Sequence, residues 1–384
     1  MKNVLLIGIG GVYNYGCEAI IRGTVKILHQ IDPKIEISYA SYNYDYDAKK
    51  LSDLKINIIN RPRDKRRWTI RNITRKLCSI LNIKYSTYDS VDWISQFDTL
   101  FSIGGDIYTL DENGGFNYSL PVFIEKCIKH NPAMNYILWG ASVGPFTQNP
   151  KAERFYSKHL KKASLIVARE NATINYLKSI GIESNVVFAP DPAFFVPFGQ
   201  HNKMPNKRLS IGINLSPLSA LYAYGDTNHG ATLQAKTIES IITTLNADIV
   251  LIPHVLAPNI NDDDLRYLKT IYDKIDPSLQ QYVSIEHDDS GFIGRKKILS
   301  QLDCLIAARM HCAINAITCN TPTILLSYSA KAKGMAEFVY GDTSMICPLD
   351  TFGHPNAIID LIKSRKAPDH KSKISNFNFN AILR

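Results

Sequence analysis

Strand-like and helix-like segments alternate along this chain, and the alternation is interrupted once, near the middle. In the first half, apolar runs typical of strands occupy residues 4–8, 35–39, 99–103, 136–139, 165–168 and 186–188. In the second half they occupy residues 209–214, 249–253, 282–286, 304–308 and 323–327. Buried strands that alternate with helices form parallel sheets with helices on both faces. The sequence therefore predicts an α/β fold with two parallel sheets.

A segment rich in turn residues, 196–205, separates the two halves. The chain has 384 residues, more than one domain usually holds, and its 45% hydrophobic content suffices for two cores. We predict an N-terminal domain over residues 1–197, a C-terminal domain over 208–365 and a polar tail over 366–384. Ligands of such sheets bind at the carboxyl ends of the strands. Functional residues are therefore expected just after strands, in a cleft between the domains.

Arg309 and His311 directly follow the predicted strand at 304–308, where the next helix begins. A helix start offers free backbone N–H groups and a partial positive charge, and a guanidinium binds phosphate or carboxylate through two parallel hydrogen bonds. We interpret the pair as an anion site. The alternative is a structural arginine and a capping histidine.

Lys331 and Lys333 follow the last predicted strand, which ends at Ser327. Two cationic groups beside Arg309 would hold a dianion, although exposed loop lysines are common. His254 follows the strand at 249–253 and is a weaker candidate, interpreted as packed or solvated.

Small and polar residues also follow four strands of the first half. The candidates in these loops are Asn14, Gly16, Glu18, Gly105, Asp106, Ser142 and Arg169. Glu18 either acts on a sugar hydroxyl or complements the helix dipole and pairs with Arg22. Asp106 either accepts hydrogen bonds from an acceptor or caps the next element. Arg169 either binds an anion or forms an internal salt bridge.

Several classes of protein are disfavoured by what the sequence contains. The seven cysteines show no C-x-x-C pair, and so no metal site is predicted. Tyr13 stands where a dinucleotide-binding motif needs its last glycine. No segment has the roughly 20 apolar residues of a membrane helix, and the N-terminal run suits a first strand, so we expect a cytoplasmic protein.

One segment of the first half is strongly basic. Its basic residues are Arg61, Arg63, Lys65, Arg66, Arg67, Arg71, Arg75 and Lys76. Such a patch attracts phosphates of nucleic acid, of an anionic membrane surface or of a pyrophosphate-linked acceptor. A solvated basic helix is the simplest interpretation.

The order and spacing of several short motifs resemble the polysaccharide pyruvyl transferase family over most of the chain. The motifs are Asn14-x-Gly16-x-Glu18-Ala19, Gly104-Gly105-Asp106, Gly140-x-Ser142-Val143-Gly144-Pro145, Ala168-Arg169-Glu170, Pro190-Asp191-Pro192, Arg309-x-His311 and Ser327-Tyr328-x-x-Lys331-x-Lys333-Gly334. One departure is Cys17, where the family often has an acid. The resemblance implies two Rossmann-like domains in a GT-B-like architecture, with the acceptor on the N-terminal side and the donor on the C-terminal side.

The resemblance also implies a reaction. The pyruvyl unit of phosphoenolpyruvate, a co-substrate, would pass to sugar hydroxyls of a bacterial surface polysaccharide or its lipid-linked precursor, forming a ketal and releasing phosphate, without a cofactor. His311 would be the general acid, and Glu18 or Asp106 would act on the acceptor. The residues expected to hold the donor are Arg309, Lys331, Lys333, Arg169 and Ser327. Those expected to contact the acceptor are Asn14, Gly16, Gly105 and Ser142.

Two rival functions use the same residues differently. A nucleotide-sugar glycosyltransferase of GT-B type would place Arg309 on a diphosphate and Glu337 on a ribose. A non-catalytic glycan-binding or phospholipid-binding protein would use the basic segment at 61–76. Under the pyruvyl transferase interpretation, that segment predicts a polyprenyl-pyrophosphate-linked acceptor and peripheral membrane association, with no nucleic acid partner.

Overall fold

The computed structural model of the protein describes residues 1–61, 73–74, 77–78, 91–111, 114–199, 203, 208–327 and 330–383, with only the backbone at 330 and 331. These residues form two compact units. Unit 1 comprises Met1–Val12, Ile20–Pro192 and Asn378–Arg384. Unit 2 comprises Tyr13–Ala19 and Ala193–Phe377.

The strands and helices alternate along the chain as the sequence predicts. The strands are β1 (Asn3–Ile7), β2 (Glu36–Ser41), β3 (Asn57–Asn60), β4 (Thr99–Ile103), β5 (Asn135–Ala141), β6 (Leu165–Ala168), β7 (Val186–Phe188), β8 (Leu209–Asn214), β9 (Ala247–Leu251), β10 (Val283–Ile285), β11 (Cys304–Ala307), β12 (Thr323–Ser327) and β13 (Ile346–Pro348). The α-helices are α1 (Tyr15–Ile31), α2 (Tyr44–Lys50), α3 (Ser119–His130), α4 (Pro150–Leu160), α5 (Asn171–Ser179), α6 (Pro217–Tyr224), α7 (Thr227–Leu245), α8 (Asp264–Tyr272), α9 (Gly291–Leu299), α10 (Met310–Ile317), α11 (Ala330–Tyr340), α12 (Pro355–Lys363), α13 (Lys371–Ser375) and α14 (Asn380–Leu383).

Each unit is built on one parallel sheet. The order in unit 1 is β3-β2-β1-β4-β5-β6-β7, and in unit 2 it is β10-β9-β8-β11-β12-β13. Both are the Rossmann-like order, in which successive strands are added first on one side of the first strand and then on its other side. The carboxyl ends of β1 and β4, and of β8 and β11, therefore flank the positions where such sheets bind ligands.

The strands read as nearly continuous apolar runs because helices cover both faces of each sheet. All five residues of β4 are buried, as are all four of β11. The core of unit 1 packs β1, β4 and β5 against α3 and α4, with Leu100 and Phe123 fully buried. In unit 2, Ile211, Ile238 and Ile306 lie in the core between the sheet, α7 and α12.

The structure differs from the predicted domain bounds at three places. Tyr13–Ala19 belongs to unit 2, because its backbone bonds to the strand exit after β9, with Tyr15 N donating to His254 O at 3.1 Å. The longer segment of unit 2 begins at Ala193, a few residues before the predicted linker. The expected tail forms α13 and α14, and Asn378–Arg384 returns to unit 1, where the Phe379 and Trp139 ring centroids lie 5.7 Å apart.

Two strands were not predicted from the sequence, β3 and β13. Each lies at the edge of its sheet and is short, with four and three residues. An edge strand is buried less, and so its sequence carries a weaker apolar signal.

Candidate functional site

Arg309 lies at the reversal point of the sheet in unit 2, at the position where its sequence context predicts it. It is the residue before α10 and has an extended backbone, with φ −87° and ψ 120°. Its N–H donates to Asn214 Oδ1 at 2.9 Å, and Ala308 N donates to Asn214 O at 3.0 Å. The fully buried Asn214, at the end of β8, therefore joins the carboxyl ends of the two central strands.

Two carboxylates hold the Arg309 guanidinium. Nη2 lies 2.8 Å from Asp264 Oδ1 and 2.7 Å from Asp262 Oδ1, and Nε lies 3.2 Å from Asp264 Oδ1. Burial opposes the charge, but Asp264 and Asp262 outweigh burial and raise the pKa of Arg309 above its ordinary value. The guanidinium is therefore always charged and fixed in direction. Nη1 has no hydrogen-bond partner among the described residues.

The two aspartates differ in exposure, and the sequence reasoning missed both. The Asp264 side chain is 0% exposed, whereas that of Asp262 is 41% exposed. Asp264 Oδ2 also accepts the N–H groups of His254 and Val255, each at 3.0 Å. The available signal was the acidic run Asp262–Asp264 that follows a strand exit. Asp264 thus ties Arg309 to the loop after β9.

His311 lies in the first turn of α10 and packs against Gly16. A Cβ atom on Gly16 would lie only 2.5 Å from His311 Nδ1, so a glycine is required for this approach. Asn14 supports the same turn, because its Oδ1 accepts Gly16 N at 2.9 Å. The structure thus brings three predicted residues together, although Asn14 and Gly16 were expected in the N-terminal domain and belong to unit 2.

Replacing Gly16 with alanine is expected to displace the His311 ring. Alanine would otherwise favour the helix by roughly 0.5–1 kcal/mol. A misplacement of about 1 Å in a catalytic group can cost about 100-fold, so kcat should fall by about 10- to 100-fold with little loss of stability. Steady-state turnover and thermal unfolding measure the two effects. Gly199→Ala is the matched control, since Gly199 faces open space. An unchanged kcat in Gly16→Ala would contradict the close approach.

Glu18 caps the start of α9. Its Oε2 accepts the N–H of Phe292 at 2.8 Å, and the side chain is buried. Gly291 makes room for the carboxylate, because a Cβ there would lie 2.8 Å from Oε2 and the backbone has φ +70°. An anion at a helix N-terminus is stabilised by the helix dipole. Of the two interpretations of Glu18, this contact favours the structural one, with the helix dipole of α9 as the partner. Arg22, the other partner named in that interpretation, forms an ion pair with Asp53 at 2.7 Å.

The Glu18→Gln variant separates the capping role from a catalytic one. Glutamine keeps an oxygen that accepts from Phe292 N but loses the charge, and the expected cost is about 0.3–1 kcal/mol of unfolding free energy. We expect kcat to stay within about tenfold of wild type, whereas loss of a general base costs about 100-fold or more. Chemical denaturation and steady-state kinetics provide the two measurements. Glu183→Gln, which removes an exposed carboxylate of unit 1, is the control.

His254 and Asn315 are buried beside this cluster. Asn315 is 0% exposed, and its Nδ2 donates to Phe292 O at 3.1 Å and lies 3.4 Å from His254 Nε2. Burial, with the charges of His311, Arg295 and other nearby cations, lowers the pKa of His254 well below its ordinary value. The sequence analysis interpreted His254 as packed or solvated, and the structure shows it packed and hydrogen-bonded.

The other residues of unit 2 predicted to hold the donor, together with Glu337, lie on α11 or at the end of β12. Lys333 is on α11, with its side chain 67% exposed, and its Nζ lies 3.9 Å from Glu337 Oε1. Glu337, the ribose ligand in the rival interpretation, is thus the neighbour of a lysine one turn away. Ser327 ends β12 and its carbonyl accepts Leu349 N at 3.0 Å. The side chain of Lys331 lies outside the described part of the chain, and its donor role stays a prediction.

Unit 1 gathers the remaining predicted residues after β4, β5 and β6. Arg169 Nη1 lies 2.8 Å from Asp191, and Nη2 donates to Ser142 Oγ at 3.0 Å. Asp106 Oδ1 lies 3.7 Å from Arg169 Nη2 and its side chain is 58% exposed. Burial is outweighed by Asp191 and Asp106, which raise the pKa of Arg169. Gly105 is small enough for the guanidinium, since a Cβ would lie 3.0 Å from Nη2.

The basic segment is described only at its start. Arg61 is 8% exposed, and its guanidinium lies 4.3 Å from the centroid of the Trp93 ring. Arg61 is therefore part of the packed interior of unit 1 rather than of an exposed patch. Its planar cation lies over an aromatic face, which is a favourable contact. The other seven basic residues of the segment lie outside the described residues.

Two kinds of feature are absent from the described residues. Among them, no helix is long and apolar enough to cross a membrane. The same residues contain no cluster of three or more histidine, cysteine or acidic side chains that could hold a metal ion.

The family model for polysaccharide pyruvyl transferase matches residues 14–330. The chain belongs to this family. The match covers the segment from Asn14 to the start of α11 and so includes every motif of the site except the end of the last one, Lys331 to Gly334. No curated protein matches this polysaccharide pyruvyl transferase at a significant level of sequence similarity.

Solved structures of similar fold include a UDP-GlcNAc 2-epimerase and proteins described with UDP. UDP-GlcNAc 2-epimerase from Methanocaldococcus jannaschii has a TM-score of 0.59 at 13% identity, over 100% of this chain and 99% of that chain. S. aureus MnaA with UDP has 0.61 at 14%, over 94% and 88%. Anabaena Alr3699/HepE with UDP and glucose has 0.56 at 12%, over 94% and 90%. At this identity the likeness establishes the fold of the pyruvyl transferase, two Rossmann-like domains of GT-B-like type.

Proposed function

We propose that this polysaccharide pyruvyl transferase moves the pyruvyl unit of phosphoenolpyruvate onto two hydroxyls of a saccharide, forming a ketal and releasing phosphate. The observation that carries the proposal is the arrangement at the start of α10. A guanidinium fixed by two carboxylates lies two residues from a half-buried imidazole, at the ligand-binding point of the sheet. Together they supply an anion ligand and a proton donor.

Arg309 binds the donor through the part of its fork that faces away from Asp264. Phosphoenolpyruvate carries a carboxylate and a phosphate, and either group accepts two parallel hydrogen bonds from a guanidinium. Nη1 is the nitrogen available for this contact, because Nη2 already donates to Asp262 and Asp264. Asp264, with 0% exposure, stays in place and keeps the guanidinium aligned. The N-terminus of α10 adds a partial positive charge.

His311 acts as the general acid. It gives a proton to the methylene carbon of the donor, and C2 becomes electrophilic. The first sugar hydroxyl attacks C2, and its proton returns to His311. The bond from C2 to the phosphate oxygen then breaks, the second hydroxyl closes the ketal, and its proton leaves on hydrogen phosphate. The two hydroxyls each lose one proton. The methylene carbon, which becomes a methyl group, and the phosphate each gain one proton.

The acceptor is proposed to contact unit 1. Asp106 is an exposed carboxylate there, and it lies 3.7 Å from the buried Arg169. Asp191 and Ser142 hold Arg169, which supports Asp106 rather than binding the donor itself. An acceptor linked to a lipid pyrophosphate, held at a membrane surface by the basic segment, remains part of this proposal. Salt should then weaken activity on a lipid-linked acceptor, because exposed charges are screened.

The deciding experiment measures phosphate release from phosphoenolpyruvate across a panel of galactose-, glucose- and mannosamine-containing acceptors. We expect release that depends on an acceptor and a product that keeps the pyruvyl carbon. Titration with UDP and GDP is the comparison, since the neighbours in fold include proteins described with UDP. Tight nucleotide binding without phosphate release would overturn the proposal in favour of a glycosyltransferase. Acceptor binding without turnover would indicate a non-catalytic protein.

A further inference from the structure

The ring of His254 is fixed on several sides. It lies edge-on to Tyr15, with centroids 5.6 Å apart, and edge-on to Phe292, with centroids 5.8 Å apart. The backbone N–H of His254 donates to Asp264 at 3.0 Å, and its carbonyl accepts Tyr15 N at 3.1 Å. His254 is only 1% exposed, and so its imidazole is almost completely shielded from bulk solvent.

Asn315 determines which nitrogen of His254 carries a hydrogen. The Asn315 side-chain atom that lies 3.1 Å from Phe292 O must be the amide nitrogen, because a carbonyl oxygen only accepts. The same nitrogen lies 3.4 Å from His254 Nε2. A donor facing Nε2 requires Nε2 to be the unprotonated nitrogen. The hydrogen of the neutral ring is then on Nδ1.

The charges around His254 favour the same neutral state. His311 and Arg309 act on it from α10 and its cap, and Arg295 and Lys296 act from α9. Each is a cation when protonated, and each therefore opposes a second proton on His254. Complete burial acts in the same direction and is the largest effect.

We propose that Asn315 holds His254 as the neutral Nδ1–H tautomer, so that His254 packs behind the Tyr15 turn as an uncharged ring and is not itself a proton donor of this site. The inference rests on the proposed function, in which His311 protonates the donor.

The first test is nitrogen-15 NMR of the full chain labelled at histidine side chains, with the His254 signals assigned by their loss in His254→Phe. We expect Nδ1–H and an unprotonated Nε2 that do not change between about pH 5.5 and about 8.5. Asn315→Asp replaces the donor facing Nε2 with an acceptor, and so Nε2 should gain a hydrogen. Asn228→Asp, at an exposed position of α7, is the matched control and should leave the signals unchanged. An Nε2–H tautomer or a titration of His254 in wild type would overturn the inference.

Kinetics provide the second test. His254→Phe keeps a ring of similar volume, and we expect kcat within about tenfold of wild type with an unchanged basic limb in the pH profile. A loss as large as in His311→Gln, about 100-fold or more, together with the disappearance of a limb from the pH profile, would show that His254 transfers a proton itself. If His254→Phe does not fold, His254→Gln gives the signal assignment, and the wild-type and Asn315→Asp spectra then decide. The spectra are recorded without phosphoenolpyruvate, so a failed tautomer prediction and a failed phosphate-release assay are separate results.

Discussion

Replacing His311 with glutamine is expected to lower kcat by about 100- to 10,000-fold while binding of phosphoenolpyruvate stays measurable. Glutamine cannot give a proton to the methylene carbon, and general acid catalysis contributes about that factor. The proposed anion ligand, Arg309, is untouched, because Asp262 and Asp264 hold it and His311 does not. The loss should therefore appear in kcat and leave the dissociation constant of the donor largely unchanged.

The measurement pairs single-turnover phosphate release with direct donor titration by calorimetry. His229→Gln is the matched control, since His229 is an exposed histidine on α7 of the same unit. It should retain full activity. Wild-type turnover in His311→Gln would remove His311 from the mechanism, and loss of donor binding with a normal kcat at saturation would make it a ligand instead.

Replacing Arg309 with methionine is expected to cost about 3–5 kcal/mol of stability in unit 2. The change leaves the carboxylate of Asp264 buried without its cation, and removal of one partner of a buried ion pair costs about that much. Donor binding should weaken as well, by about 10- to 100-fold, because one charge-assisted contact contributes about 1.5–3 kcal/mol. Both effects therefore arise from a single side chain.

The double variant Arg309→Met, Asp264→Asn separates the two effects. The asparagine introduced in place of Asp264 still accepts backbone N–H groups but carries no charge, so most of the lost stability should return. Donor binding should not return, because the guanidinium is absent. Native-state hydrogen exchange at amides of β8 and β11 measures the stability of this unit, and donor titration measures binding. Recovery of donor affinity in the double variant would show that Arg309 acts only through the fold.

The predictions for unit 2 succeeded where local pattern and topology were enough. The apolar run before Arg309 predicted a buried parallel strand, and the strand-to-helix change at α10 placed Arg309 and His311 at the carboxyl edge of the sheet. Both features depend on residues near in sequence. The family motifs could be recognised for the same reason.

The partners of those residues could not be predicted from local pattern. Asp264 lies 45 residues from Arg309 in the chain, and Glu18 lies 274 residues from Phe292, whose N–H it accepts. Glu18 looks like an ordinary first-turn acid of α1, and only the fold shows that it caps a different helix. The assignment of Tyr13–Ala19 to unit 2 likewise rests on backbone bonds to the segment after β9.

The sequence by itself therefore determined the fold class, the family and the two residues at the start of α10, since apolar periodicity and short motifs are local properties. The tertiary structure alone decided the partners and direction of those residues. Arg309 is fixed by carboxylates, and His311 is packed on Gly16. Such contacts join segments that are distant in the chain, and hydrogen bonds and close packing depend on distances that no local pattern specifies.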